Sequence, residues 1–169
     1  MKVLAVIPAR WKSSRFPGKP IALIKGKPMI YLVWKQVIKS KSITDCIVAT
    51  DDKRISNICK KMDIKVMITS KKHLTGTDRL YEVSKRIKSD IYVNIQGDEP
   101  LINPKSIDAV INLLKKSLKR KIFASTAYVK IPKNQKKELT GVYLVCNKQN
   151  EVLYLSRYPI TSNFKEKIY

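Results

Sequence analysis

The sequence predicts an α/β fold, a Rossmann-like and mostly parallel sheet with helices on both faces. Apolar runs of strand length alternate with segments whose apolar residues recur every three or four positions. The apolar runs are nearly continuous, as expected for strands that are buried on both faces of a parallel sheet. With 169 residues, of which 44% are apolar, the chain is long enough for one core, and we expect a single domain over residues 1–169.

The charge of the chain favours anionic ligands. It carries 35 lysines and arginines against 13 acidic residues, a net charge of +22 at pH 7, which attracts nucleotides and other polyanions. The cations are mostly lysines that are scattered along predicted helices and turns, without the arginine and aromatic interleaving of proteins that recognise nucleic acids. We therefore expect no specific nucleic-acid partner.

The sequence lacks the patterns of membrane, secreted and disulfide-bonded proteins, and this predicts where the protein is located and that its cysteines are reduced. No apolar run approaches the roughly 20 residues of a membrane span, and the N-terminus lacks the apolar core and cleavage site of a signal peptide. Cys46, Cys59 and Cys146 are odd in number and form no Cys-x-x-Cys pair, so they predict neither a disulfide framework nor a zinc site. We expect a cytoplasmic protein without membrane insertion, whose thiols are reduced and mostly buried.

The first predicted strand, Met1–Ile7, leads into a basic loop, Ile7–Pro20 (IPARWKSSRFPGKP). The cations of this loop are Arg10, Lys12, Arg15 and Lys19. Open α/β sheets bind ligands at the carboxyl ends of their strands, where this loop begins. Arginine binds two phosphate oxygens with its planar fork and lysine offers a compact charge, so the loop predicts a polyphosphate cradle. A solvated basic turn is the alternative.

The next segments predict alternating helices and strands. They are a helix at Pro28–Ser40, a strand at Ile43–Thr50, a helix over residues 55–62 and a short strand at Lys65–Thr69. Asp51 and Asp52 follow the second strand, and we expect these carboxylates to cap the helix that comes next.

A small polar turn precedes the third predicted helix. The turn consists of Thr75, Gly76 and Thr77. The helix is expected from about Leu80 to Lys88, with Thr77 or Asp78 as its cap. His73 lies just before the turn; a lone histidine is more often structural than catalytic.

The strand Asp90–Gln96 (DIYVNIQ) ends in Gly97, Asp98 and Glu99. Two carboxylates at the carboxyl end of a strand are suited to a hard divalent cation, and Mg²⁺ needs only one or two of them when substrate phosphates complete its shell. The pattern therefore predicts a magnesium site at Asp98. A structural cap is the alternative.

The remaining segments are assigned by the same patterns. They are a helix at Ile107–Leu118, strands at Phe123–Val129 and Gly141–Cys146 with a mobile lysine-rich loop, Lys130–Glu138, between them, and a strand at Val152–Tyr158.

Four of these segments together resemble a known family. IPARWKSSRFPGKP with the following GKPMI, the turn that matches H-x-[ST]-G-T-[DE]-R, VNIQGDEP and VLYLSRY are similar to the CTP-dependent cytidylyltransferases that activate 3-deoxy-sugar acids, above all 3-deoxy-manno-octulosonate (KDO), for lipopolysaccharide or capsule synthesis. The resemblance implies a fold of the nucleotide-diphospho-sugar transferase type. It also implies that a sugar hydroxyl attacks the α-phosphate of CTP and that pyrophosphate leaves.

The resemblance further implies roles for individual residues. It assigns nucleotide binding to Pro8, Ala9, Arg10, Arg15, Lys19, His73, Thr75 and Gly76, the last three near the cytosine. It assigns binding of the sugar acid to Gln96 and Arg157, and of Mg²⁺ to Asp98. Arg10, Lys19 and Asp98 are the catalytic candidates, because catalysis of such transfers consists chiefly of positioning and charge neutralisation.

The family pattern also differs from this sequence in two ways. Tyr143 stands where the family has a lysine, and the family extends well beyond Tyr169 with a second metal-binding aspartate and much of a homodimer interface. We therefore expect slow turnover and an incomplete interface. The alternative functions are activation of another sugar acid, such as an acylneuraminate, and an inactive homologue that binds CTP or polyanions.

Overall fold

The computed structural model describes residues 1–12, 16–129 and 141–158. The chain divides into two compact units, Met1–Thr126 and Ala127–Tyr169, and each is described by itself. In the described residues, no helix combines the length and the apolar character that crossing a membrane requires. The expectation of a single domain over residues 1–169 stays a prediction.

The first unit contains ten helices and strands in its described residues, beside two short 3-10 turns. In chain order they are β1 (Val3–Ala9), β2 (Leu23–Ile24), β3 (Lys27–Pro28), α1 (Met29–Val37), β4 (Asp45–Thr50), α2 (Lys53–Lys61), β5 (Val66–Ile68), α3 (Gly76–Arg86), β6 (Ile91–Asn94) and α4 (Pro104–Ser117). The main sheet has the order β5-β4-β1-β6 and all its pairs are parallel. The predicted α/β fold with a parallel sheet is confirmed.

Strand β1 lies in the middle of the sheet and is buried on both faces. Val3, Ala5 and Ile7 share one buried cluster with residues of α1, α2 and α4. Leu4 and Val6 share a second cluster with residues of α3. Because successive side chains of a strand point to opposite faces, the nearly continuous apolar run lets helices cover both faces, as predicted.

Two of the cysteines lie in this core. Cys46 and Cys59 are buried, and burial raises the pKa of the Cys46 thiol to about 12 and that of Cys59 to about 11. Both thiols therefore stay protonated and inert at neutral pH. Cys146 is half-buried.

The second unit contains an antiparallel hairpin in its described residues, β7 (Tyr143–Cys146) and β8 (Val152–Ser156). Both strands fall within segments that the sequence predicts. The prediction of a strand at Phe123–Val129 is wrong: among the described residues the segment joins none of the sheets, and Phe123 and Val129 are 86% and 85% exposed. Alternation of apolar residues does not by itself make a strand, because a strand is stabilised by its cross-strand pairs. The predicted loop Lys130–Glu138 lies outside the described residues.

Candidate functional site

Three of the loops that the sequence singled out meet at Pro8, at the carboxyl end of β1. A Cβ atom on Gly97 would lie 2.8 Å from the Pro8 carbonyl oxygen, and one on Gly76 would lie 3.3 Å from the Pro8 Cγ. A backbone oxygen at 2.8 Å leaves no room for a side chain, so only glycine fits at position 97 without a shift of the backbone. The basic loop, the turn before α3 and the Gly97–Asp98 segment therefore share one edge of the sheet.

The basic loop reaches Asp98 through Lys19. Lys19 Nζ lies 2.6 Å from Asp98 Oδ2, and the two side chains are 41% and 48% exposed. A short 3-10 turn, Lys19–Ile21, follows Gly18, whose φ of 71° lies in the left-handed region that glycine favours. The sequence predicted these two side chains as phosphate and metal ligands, and the structure brings them together.

Of the other residues predicted to bind the nucleotide in this loop, the structure describes Ala9 and Arg10. Ala9 is the buried last residue of β1. Arg10 is exposed and takes part in none of the ion pairs among the described residues, so its guanidinium is available to an anion. Arg15 lies outside the described residues.

The turn before α3 forms a reciprocal cap. The Asp78 backbone N–H donates to Thr75 Oγ1 at 3.1 Å, and the Thr75 N–H donates to Asp78 Oδ2 at 2.9 Å. Hydrogen bonding to the Asp78 carboxylate from the side chain and the backbone N–H of Thr75 lowers the pKa of Asp78. The helix therefore begins at Gly76 rather than near Leu80, and its N-cap is Thr75 rather than Thr77 or Asp78. The proposed contact of Thr75 with cytosine stays a prediction.

His73, which precedes α3, is held by the carboxylate of Glu82 in that helix. Its Nε2 lies 2.5 Å from Glu82 Oε2, and both side chains are mostly buried. Glu82 also accepts from the Ser70 backbone N–H at 2.8 Å, which is the main cause of its lowered pKa, and it pairs with Arg86. This network fixes the loop from Ser70 to His73 beside the turn.

A buried ion pair joins Arg79 of α3 to Asp51, which follows β4. The sequence patterns above do not predict it. Arg79 is 2% exposed and donates to Asp51 Oδ2 at 3.0 Å, to the Ser70 carbonyl at 3.3 Å and to Thr69 Oγ1. Asp51 was expected to cap α2, but only Asp52 does so, by accepting from the Arg54 N–H at 2.9 Å. The signal was present: Arg79 stands four residues before the buried Val83, on the same face of α3.

The residues predicted to bind the sugar acid fall in different units. Gln96 is exposed and follows β6, which ends at Asn94. Its carbonyl accepts from the Glu99 N–H at 3.3 Å, which turns the chain after Gly97. Arg157 is exposed and follows β8 in the second unit. Their roles stay predictions.

The described residues fit a metal ion whose coordination shell is completed by the phosphates of a bound nucleotide and by water. They contain no cluster of three or more histidine, cysteine or carboxylate side chains that could hold an ion. Asp98 is a half-exposed carboxylate at the binding edge of the sheet, which suits an ion whose other ligands are phosphate oxygens and waters.

Comparison with known proteins identifies the family of the chain. The family described as Cytidylyltransferase matches residues 4–169. A 3-deoxy-manno-octulosonate cytidylyltransferase of Geobacter metallireducens is 41% identical over 99% of this chain. An 8-amino-3,8-dideoxy-manno-octulosonate cytidylyltransferase of a Shewanella species is 39% identical over 93% of it. The chain spans 65% of the length of each of these relatives.

A solved structure shares the fold over almost the whole chain. It is that of CMP:2-keto-3-deoxy-manno-octonic acid synthetase complexed with CTP, 34% identical, with a TM-score of 0.86. The match covers 98% of this chain and 68% of the other.

Proposed function

The chain belongs to the cytidylyltransferase family, and from this we propose that it transfers the cytidylyl group of CTP to a 3-deoxy-sugar acid, 3-deoxy-manno-octulosonate in the first place. The observation that carries the proposal is the meeting of three loops at Pro8, with Lys19 Nζ 2.6 Å from Asp98 Oδ2. The names of the relatives and the CTP complex of the solved structure support the choice of nucleotide and sugar.

In the proposed reaction, the bond between the anomeric oxygen of the sugar acid and the α-phosphorus forms as the bond to the β-phosphate oxygen breaks. The hydroxyl proton goes to water. Lys19 and Arg10 bind oxygens of the β- and γ-phosphates and neutralise the charge that builds up on the leaving pyrophosphate. Arg15 is expected to act with them.

Asp98 is the proposed ligand of Mg²⁺. When bound, the ion neutralises phosphate charge and lowers the pKa of the attacking hydroxyl. Lys19 and Asp98 already neutralise each other, and a magnesium nucleotide would offer each of them a new partner of the same sign: Asp98 would hold the cation in place of Lys19, and Lys19 would hold a phosphate in place of Asp98. The site is therefore suited to bind both together.

The turn at Thr75 and Gly76 is the proposed base contact. Gly76 lies against Pro8, and His73 is fixed nearby by Glu82. Because the Thr75 hydroxyl already caps α3, we expect backbone groups of the turn to bind the cytosine edge. A site that relies on such hydrogen bonds rejects bases that leave them unpaired.

Gln96 and Arg157 are the proposed ligands of the sugar acid, with Arg157 facing its carboxylate. The sugar itself needs testing, because a relative of similar identity is named for the 8-amino sugar. We expect the protein to act in the cytoplasm.

The test is release of pyrophosphate from CTP in the presence of Mg²⁺ and a panel of acids: 3-deoxy-manno-octulosonate, its 8-amino analogue and an acylneuraminate. We expect release with 3-deoxy-manno-octulosonate, and a larger rise of the melting temperature with CTP than with ATP or GTP. Release with another acid alone would replace the substrate and keep the reaction.

Two other results would overturn the proposed function. Stabilisation by CTP without pyrophosphate release from any acid would indicate an inactive homologue. Equal stabilisation by all nucleotides, with binding to random DNA that falls steeply with salt, would indicate a polyanion-binding protein.

A further inference from the structure

The loop after β1 closes on itself through Trp11 and Gly18. The Gly18 N–H donates to the Trp11 carbonyl at 3.0 Å. A Cβ atom on Gly18 would lie 2.9 Å from Trp11 Cη2 and 3.2 Å from two further ring atoms. The indole therefore lies directly against the backbone at Gly18, the residue before Lys19, and a larger residue there would push the ring away.

The same indole is held from α2. The guanidinium carbon of Arg54 lies 3.3 Å from the centroid of a Trp11 ring, which is stacking distance for a cation on an aromatic face. The guanidinium is itself fixed, because Nε and Nη2 of Arg54 donate to the two oxygens of Asp52 at 2.9 and 2.8 Å. Asp52 is the N-cap of α2, so the guanidinium is anchored at the rigid start of a helix.

We propose that Arg54 is a positioning residue of the basic loop: it stacks on Trp11 and thereby holds Gly18 and Lys19 in the place where Lys19 meets Asp98. The contacts run from Asp52 through Arg54 and Trp11 to Gly18, and Lys19 follows directly. The contacts of Arg54 in the described residues are with Asp52 and Trp11, and not with Lys19 or Asp98. The kinetic part of this inference rests on the proposed function, whereas the placement of the loop does not.

The stack gives Arg54 a role that charge alone does not explain. Lysine at position 54 would keep the positive charge near the nucleotide, but it lacks the planar group that both stacks on indole and forms a two-pronged bond to a carboxylate. If Arg54 contributed only to the positive field, lysine would serve as well, and its neighbour Lys53 would matter equally.

The first experiment measures the loop without any ligand. In a Trp34→Phe background, Trp11 is the remaining tryptophan, and acrylamide quenching of its fluorescence reports its exposure. We expect Arg54→Ala and Arg54→Lys to raise the quenching constant about twofold, and Lys53→Ala to leave it unchanged. Unchanged quenching in Arg54→Ala would overturn the inference, whether or not the protein is active.

The second experiment is a double-mutant cycle on kcat/KM for CTP, with the melting temperature measured alongside. We expect Arg54→Ala and Arg54→Lys each to lower kcat/KM about tenfold, and Lys53→Ala to lower it less than twofold. In a Trp11→Leu background, Arg54→Ala should have almost no further effect, because its partner is already absent. A tenfold loss in that background as well would show that Arg54 acts by charge and would overturn the inference.

The two proposals fail in different ways. No pyrophosphate release and no CTP binding by the unmodified chain would refute the proposed function, while the quenching experiment would still decide the role of Arg54. An active enzyme in which Arg54→Ala matches Lys53→Ala would refute only the role of Arg54.

Discussion

Two ion pairs lie near the carboxyl ends of the parallel strands, and they differ in how deeply they are buried. Lys19 and Asp98 are 41% and 48% exposed, whereas Arg79 and Asp51 are 3% and 15% exposed. An exposed pair contributes little to stability, because water solvates each partner almost as well. Loss of one partner from a buried pair is costly, because it leaves a charge without solvent or counter-ion. From this difference in burial we expect the Lys19–Asp98 pair to be open to exchange with a ligand and the Arg79–Asp51 pair to be structural.

The largest effect is expected from the buried pair. Arg79→Ala should lower the free energy of unfolding by about 3–5 kcal/mol, the usual cost of breaking such a pair. Asp51 would keep little support, since its Oδ1 is buried and has no hydrogen-bond partner among the described residues. Urea unfolding measures this loss. The control is Lys65→Ala, which breaks the exposed Lys65–Asp45 pair and should cost less than about 1 kcal/mol; similar losses in both variants would refute the distinction.

The exposed pair should show the opposite pattern. Lys19→Ala is expected to lower turnover roughly a hundredfold, because that is the usual cost when an enzyme loses one hydrogen-bond donor to a negative charge that develops in the transition state. Its free energy of unfolding should change by less than about 1 kcal/mol. Steady-state kinetics and urea unfolding test both parts, with the exposed Lys35→Ala as a matched loss of charge. Equal turnover in the two variants would contradict the role of Lys19.

Asp98 tests whether the exposed pair exchanges with a magnesium nucleotide. Calorimetry should detect weak binding of Mg²⁺ alone, because one carboxylate needs phosphate oxygens and waters to complete the shell. With CTP present, binding of the metal should strengthen, and Asp98→Asn should abolish that gain. Tight binding of Mg²⁺ without nucleotide, or an undiminished gain in Asp98→Asn, would argue against exchange.

The pair of Asp52 and Arg54 sharpens the comparison, because Asp52 is 17% exposed and Arg54 57%. The hydrogen bond from the Arg54 side chain lowers the pKa of Asp52 from 3.8 to about 2. A depressed pKa in the folded state means that this stabilisation is complete above pH 4 and is lost as the pH falls through 2. Urea midpoints at pH 5 and pH 2.5 should therefore differ more in the unmodified chain than in Asp52→Asn, which keeps an N-cap residue. Equal differences would show that the pair contributes nothing.

Local patterns predicted much of the fold and the site. Apolar runs such as that of β1 predict the parallel sheet. The edge of the sheet where Lys19 and Asp98 meet follows from the rule that ligand-binding loops leave the carboxyl ends of strands. What failed depends on distant partners. Phe123–Val129 has strand-like alternation but joins none of the sheets in the described part of the chain. Asp51 has the sequence position of a helix cap, but it pairs with Arg79, 28 residues further along the chain. Local sequence does not contain such pairings.

The place of β1 in the sheet also has a consequence for biosynthesis. β1 leaves the ribosome before both of its neighbours, because it pairs with β4 on one side and with β6 on the other. At 5–20 residues per second, roughly 4–16 s pass between synthesis of Ala9 and synthesis of Ile91. During that interval, the edge of β1 that later pairs with β6 is open to other nascent chains. Pairing with β4 covers only one edge of β1, so the other edge is exposed to aggregation until β6 has been synthesised.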